Sequence, residues 1–247
     1  MEANSTNIII TQETQKRLIR DITCLIKNPL INSGIYYIHD EINILKGYAM
    51  IIGPKDTIYQ DGFFFFSFNF PYNYPFAPPK VKFETQGDNI RFHPNLYRNG
   101  KCCLSILNTW QGEQWTSCQT IKTILLTLIT LFDEKPLLNE PGIKETHRDF
   151  HTYNSIIEYK VYDIAILDIF LKKRIPPIFE SFYIFIQKHF LQEYENIKKR
   201  IELKEEKEKE KKMIWSTTIY KMTVLIDYSK LKNKIEKIEI NKKILNI

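Results

Sequence analysis

His93-Pro94-Asn95-Leu96-Tyr97-Arg98-Asn99-Gly100-Lys101-Cys102-Cys103-Leu104-Ser105-Ile106-Leu107 is the stretch on which the reading of the fold turns. Pro94 and the Asn99-Gly100 pair impose turns, so the backbone here is irregular. Two cysteines follow at once and lead into an apolar run, which puts them at the edge of a core. A thiol held there, beside a side-chain amide that donates hydrogen bonds, suits acyl transfer. The same cysteines also read as two small core residues, since free cysteines are usually buried and inert. Taken alone, the thiols favour the core reading.

The flanking sequence shifts that balance. Upstream lies the proline-rich segment Phe70-Pro71-Tyr72-Asn73-Tyr74-Pro75-Phe76-Ala77-Pro78-Pro79. The centre is His-Pro-Asn, a Gly five residues after the Asn, and Cys-Leu three residues after that Gly. Downstream stand Trp115 and a helix-like run from Gln119 to Asp133. Three separated motifs in this order resemble those of ubiquitin-conjugating enzymes. Cys103 to Trp110, the longer loop to Trp115, and Asn139-Glu140-Pro141-Gly142 are similar to the large, C-terminally extended Z type of that family. The resemblance is closest over 11–143 and thins beyond about residue 200.

The resemblance implies an α+β ubiquitin-conjugating (UBC) fold: a four-stranded antiparallel meander flanked by an N-terminal helix and C-terminal helices. It divides the chain into a core at 11–170 and a helical extension at 171–247, with a charged segment near 202–212. It further implies an enzyme that accepts ubiquitin or a ubiquitin-like modifier from an activating enzyme as a thioester on Cys103. The modifier then passes to a lysine or a ligase. The partners implied are therefore the modifier, the activating enzyme, a ligase and substrate proteins. Asn95 takes the oxyanion-stabilising position, and His93 and Pro94 build its loop. Phe76 and Ser117 are candidate ligase contacts; Lys16, Arg17 and Arg20 on the first helix are candidate activating-enzyme contacts. No metal or cofactor is expected, because ATP is used by the upstream activating enzyme.

The chain departs from the family pattern in three places. The family often has an Asp two residues after the cysteine; here Ser105 stands in that position, as in the Z type. An acidic residue is expected near Leu138 or Asn139, and Glu140 and Asp133 are the nearest substitutes. Thr116-Ser117-Cys118 replaces a frequent Ser-Pro-Ala, which points to a restricted ligase set.

Length and composition set the outer bounds. At 247 residues, 43% of them hydrophobic and 26% charged, the chain reads as one soluble domain with or without an extension. The net charge of +6 comes from mixed Lys and Glu rather than a clustered basic face, which argues against nucleic acid. The run Glu202–Lys212 alternates in sign and reads as a solvated helix face or a mobile segment. No apolar run reaches membrane-spanning length. Four cysteines (Cys24, Cys102, Cys103, Cys118), one adjacent pair and no Cys-x-x-Cys fit a reduced cytoplasmic or nuclear compartment. His147 and His151 have no third ligand at a recognisable spacing, which speaks against zinc.

Taken in order, Thr11 or Thr14 caps a helix to about Lys27, with Leu18, Ile22, Leu25 and Ile26 at helical spacing. Runs at 34–39, 42–52, 62–70 and 80–84 read as strands joined by short turns. A helix over 119–133, capped by Ser117 or Thr120, packs on one sheet face. Helical periodicity resumes over 143–170 and again over 179–203; the tail from Ile214 has a β-like start and a Lys/Ile/Glu-rich end, a pattern that does not place it. Besides the conjugating enzyme, two further readings stand: an inactive variant that binds ubiquitin or a partner, and a cysteine hydrolase. The hydrolase would need a His and an orienting partner beside the thiol.

Overall fold

The structure is a computed structural model that describes residues 10–207 and 213–245, with side chains as far as Ile238. Helix α1 (Gln12–Lys27) opens on Thr11, whose hydroxyl accepts from the Thr14 amide, and closes at Asn28. Thr14 is not the cap. Its hydroxyl donates to the Tyr72 carbonyl at 2.9 Å and ties the helix to the proline-rich segment.

Strands β1 (Ile35–His39), β2 (Lys46–Ile52), β3 (Phe63–Asn69) and β4 (Lys80–Phe83) form one sheet in chain order, every neighbouring pair antiparallel. Short connections allow only this meander. β2 begins four residues later than its hydrophobic pattern suggests. The Asp40 carboxylate accepts from the Ile42 and Asn43 amides and folds that stretch into a turn.

Phe63, Phe64, Phe65 and Phe66 are all fully buried, although alternate residues of a strand face opposite ways. Both sheet faces are therefore covered. On one, Phe64 stacks on Phe132 at 4.3 Å between centroids. On the other, Phe65 stacks on Phe179 at 4.8 Å. Phe179 belongs to the 171–247 segment, so the extension lies against the sheet.

Helix α2 (Ile121–Ile129) is shorter than its sequence pattern. Thr120 caps it in a reciprocal box with Thr123. Beyond Ile129 the chain tightens to three-residue bonds, Leu131 to Leu128 and Phe132 to Ile129. Ser117 caps nothing; its carbonyl accepts from Arg17 at 2.6 Å. Helix α3 (Phe150–Lys160) starts seven residues after the expected Ile143 because 143–149 is a series of turns, and it continues as a π-helical stretch, Val161–Asp168.

A 3-10 turn, Pro177–Phe182, leads into α4 (Tyr183–Lys207). The tail is more ordered than its pattern suggests. Strands β5 (Met213–Ser216) and β6 (Thr223–Ile226) form an antiparallel hairpin, and α5 (Tyr228–Leu245) follows. Leu231 and Ile235 of α5 are buried, as are Ile197 and Ile201 of α4. The charged segment runs along the last turns of α4; its portion at 208–212 lies outside the described residues. Among the described residues no helix is long and apolar enough to cross a membrane. None of their His, Cys, Asp and Glu side chains form a group that could hold a metal ion.

Candidate active site

The segment from His93 to Cys103 folds back on itself through the turns its Pro and Asn-Gly demand. Gly100 has φ +87°, and a Cβ there would lie 2.6 Å from Lys82 Cγ, so the turn presses against β4 in a way that only glycine permits. Phe83 donates its amide to the Gly100 carbonyl at 2.8 Å, which anchors the returning strand of the loop.

Asn95 and Cys103 meet across this loop. The Cys103 amide donates to the Asn95 carbonyl at 2.8 Å. In return, the Asn95 side-chain Nδ2 donates to the Cys103 carbonyl at 2.7 Å. One amide hydrogen of Asn95 is thus occupied and a second remains. Its Oδ1 is buried with no partner among the described residues.

Thr109, which sequence patterning did not single out, braces the opposite side. Its hydroxyl donates to the Cys102 carbonyl at 2.8 Å and accepts from the Leu104 amide at 2.9 Å. The backbone on both sides of Cys103 is therefore tied down. The only hint in the sequence was its place in the Asn108-Thr109-Trp110 run that resembles the Z type.

His93 supports the loop. Its Nδ1 accepts the Asn95 amide at 3.0 Å, which places the ring proton on Nε2. Burial, assisted by the nearby Arg91 guanidinium, lowers its pKa to about 3. It is neutral at pH 7. Pro94 is buried beside it.

The two thiols differ. Cys102 belongs to the hydrophobic core cluster, and burial, followed by the adjacent Cys103, pushes its pKa well above the ordinary thiol value. Cys103 lies outside that cluster. It is nonetheless only 2% exposed, the same as Cys102, so it lies beneath the surface rather than at an accessible edge.

The acidic substitutes also separate. The Glu140 carboxylate accepts from the Tyr220 hydroxyl, so it is already engaged by the β5–β6 hairpin. Asp133 accepts from Asn139 Nδ2 at 3.1 Å and borders a shallow depression with Leu138 and Asn139. Burial raises its pKa.

The partner-contact candidates fall into two groups. Phe76 is 63% exposed, and Ser117, Lys16 and Arg20 are exposed as well. Arg17 departs from the expectation: its side chain is only 10% exposed. It pairs with Asp21 at 3.0 Å, donates to the Ser117 and Gln119 carbonyls, and lies over the Tyr74 ring. A guanidinium with every direction of its fork engaged holds α1 to the 117–119 loop and is not free to meet a partner.

This meander, its cysteine loop and its flanking helices are those of a ubiquitin-conjugating domain. Residues 17–162 match the family model described as "Ubiquitin-conjugating enzyme", and the chain belongs to that family. Within it, the chain is similar to ubiquitin-conjugating enzyme E2 Z of Danio rerio, 39% identical over 188 residues that cover 75% of this chain and 56% of that one. It is 40% identical to the Homo sapiens E2 Z over 182 residues, covering 72% and 50% of the two chains. A Caenorhabditis elegans relative, probable ubiquitin-conjugating enzyme protein 17, is 35% identical over 204 residues, 76% of this chain and 27% of that one. The chain spans about half the length of the E2 Z proteins it matches.

Proposed function

We propose that this chain carries ubiquitin or a ubiquitin-like modifier as a thioester on Cys103. One observation supports this reading above the others: Asn95 bonds Cys103 in both directions, next to a second thiol that is consigned to the core. Loading is a thiol exchange. The Cys103 thiolate attacks the thioester carbonyl on the activating enzyme, the C–S bond to that enzyme breaks, and its thiolate leaves. In discharge a neutral lysine amine attacks the same carbonyl and negative charge gathers on its oxygen. The C–N bond forms as the C–S bond breaks, the Cys103 thiolate departs, and the proton lost by the amine passes to solvent. The second Nδ2 hydrogen of Asn95 is the donor suited to that oxygen.

Neither step needs a metal or a cofactor at the site. Of the three α1 cations considered as activating-enzyme contacts, Lys16 and Arg20 are free to meet it, and Phe76 and Ser117 are the candidate side chains free to meet a ligase. Four unpaired cysteines fit the cytoplasm or nucleus. A cysteine hydrolase is disfavoured, because no hydrogen bond joins a His to Cys103 among the described residues and His93 is neutral and engaged. The closed Cys103 is the observation that favours an inactive, modifier-binding variant instead. Incubation with activating enzyme, ATP and ubiquitin, followed by non-reducing electrophoresis, separates the two. A thiol-sensitive adduct is expected; binding without an adduct would establish the inactive variant.

A further inference from the structure

Tyr220, at the tip of the β5–β6 hairpin, lies far along the chain from the cysteine loop yet touches it at several points. Its backbone sits at φ +59°, a region an aromatic residue seldom adopts. The turn is fixed by Asp149, whose carboxylate accepts from the Thr218 amide at 2.8 Å, the Thr218 hydroxyl at 2.6 Å and the Ile219 amide at 2.8 Å. So held, the Tyr220 ring lies 4.3 Å from the Arg91 guanidinium, which also lies 3.7 Å from the Tyr97 ring. The Tyr220 carbonyl accepts from Arg98, and its hydroxyl donates to Glu140. Tyr153 packs edge-on to the ring at 5.9 Å and donates its own hydroxyl to the Arg91 carbonyl at 2.9 Å.

Arg91 carries these contacts inward. Its guanidinium donates to the Pro94 carbonyl, immediately before Asn95, and Asn95 holds Cys103 through two hydrogen bonds. Among the described residues the buried Arg91 Nε has no hydrogen-bond partner and no carboxylate is paired with Arg91, so the contacts that place the guanidinium are the aromatic faces and the Pro94 carbonyl. We propose that Tyr220 is a positioning residue for the thioester site: its ring holds Arg91, Arg91 fixes Pro94, and Pro94 sets the Asn95 amide against Cys103. The C-terminal hairpin is thereby a working part of the active site, and discharge depends on the aromatic face it presents. This inference rests on the proposed thioester at Cys103.

The test compares Tyr220→Leu, which keeps bulk but removes the π face, with Tyr220→Phe, which keeps the ring and loses only the Glu140 bond. In single-turnover assays Tyr220→Leu is expected to slow discharge to free lysine about tenfold more than it slows loading. Tyr220→Phe should recover most of that loss. Arg91→Lys should reproduce the Leu phenotype, and the double variant should be no slower than the worse single one. In the full-length protein the Asn95 side-chain amide NMR signals should move in Tyr220→Leu and stay near their original positions in Tyr220→Phe. Equal slowing of loading and discharge, unshifted Asn95 signals, or additive losses in the double variant would each overturn the proposal. If the unsubstituted chain takes up no modifier, the thioester reading fails on its own, and the Asn95 signals still decide whether Tyr220 positions that amide.

Discussion

Asn95 and Cys103 hold each other in both directions: amide to carbonyl at 2.8 Å, and side-chain Nδ2 back to carbonyl at 2.7 Å. The side chain that braces the loop thus bonds the backbone of the very residue on which the thioester is proposed. The bracing role seen here and the proposed oxyanion role can be separated by rate. Asn95→Ala should slow discharge to lysine roughly 10- to 100-fold, the scale of losing one oxyanion donor, while loading remains largely intact. Single-turnover discharge on a preloaded chain checks this. Equal rates for both chains would leave Asn95 a brace only.

His93 makes the loop sensitive to acid. Its pKa in the folded chain is near 3, below the ordinary value of 6.5, so the folded state binds fewer protons than the unfolded one between those limits. Its stabilising contribution is whole above about pH 6.5 and is lost as pH falls towards 3. Replacing His93 with Gln should flatten the fall in stability through that window, as followed by urea denaturation at several pH values. A parallel fall in both chains would contradict the burial argument.

Lys16, Arg17 and Arg20 of α1 should behave differently from one another. Arg17→Ala removes charge-assisted bonds to Asp21, Ser117 and Gln119 and should lower stability by roughly 2 kcal/mol. Lys16→Glu and Arg20→Glu lie on an exposed face and should leave stability nearly unchanged while raising the activating-enzyme concentration needed for half-maximal loading. Thermal melts together with loading titrations distinguish the two behaviours. A stable Arg17→Ala that loads poorly would return Arg17 to the partner surface.

The contrast at α1 shows where the sequence was legible. The helix, the Thr11 alternative for its cap, and Leu18 and Leu25 of its apolar stripe follow from local pattern, although Ile26 of that stripe is 74% exposed. So do the four strands and their order, because their connections are too short for crossovers. The turns of the cysteine loop were legible in Pro94 and Asn99-Gly100, whereas its reading as a site came from the family resemblance, since the thiols alone favoured a core role. What patterning missed depends on contacts between distant residues. Arg17 meets Ser117 across 100 residues, and Arg98 meets Tyr220 across 122. Nothing in the window around either residue signals the other. The later start of β2 had a local cause, the Asp40 turn, but the apolar run from Ile42 concealed it. The hairpin at 213–226 had a β-like start legible from Ile214, but its strands are too short for periodicity to place them.

The most direct measurement maps the adduct to one of two adjacent sulfurs. After incubation with activating enzyme, ATP and ubiquitin, Cys103→Ser should trap an alkali-labile, thiol-resistant oxyester, Cys103→Ala should carry nothing, and Cys102→Ala should load at a near-normal rate. A thiol-sensitive adduct that persists in Cys103→Ala and disappears in Cys102→Ala would contradict the account.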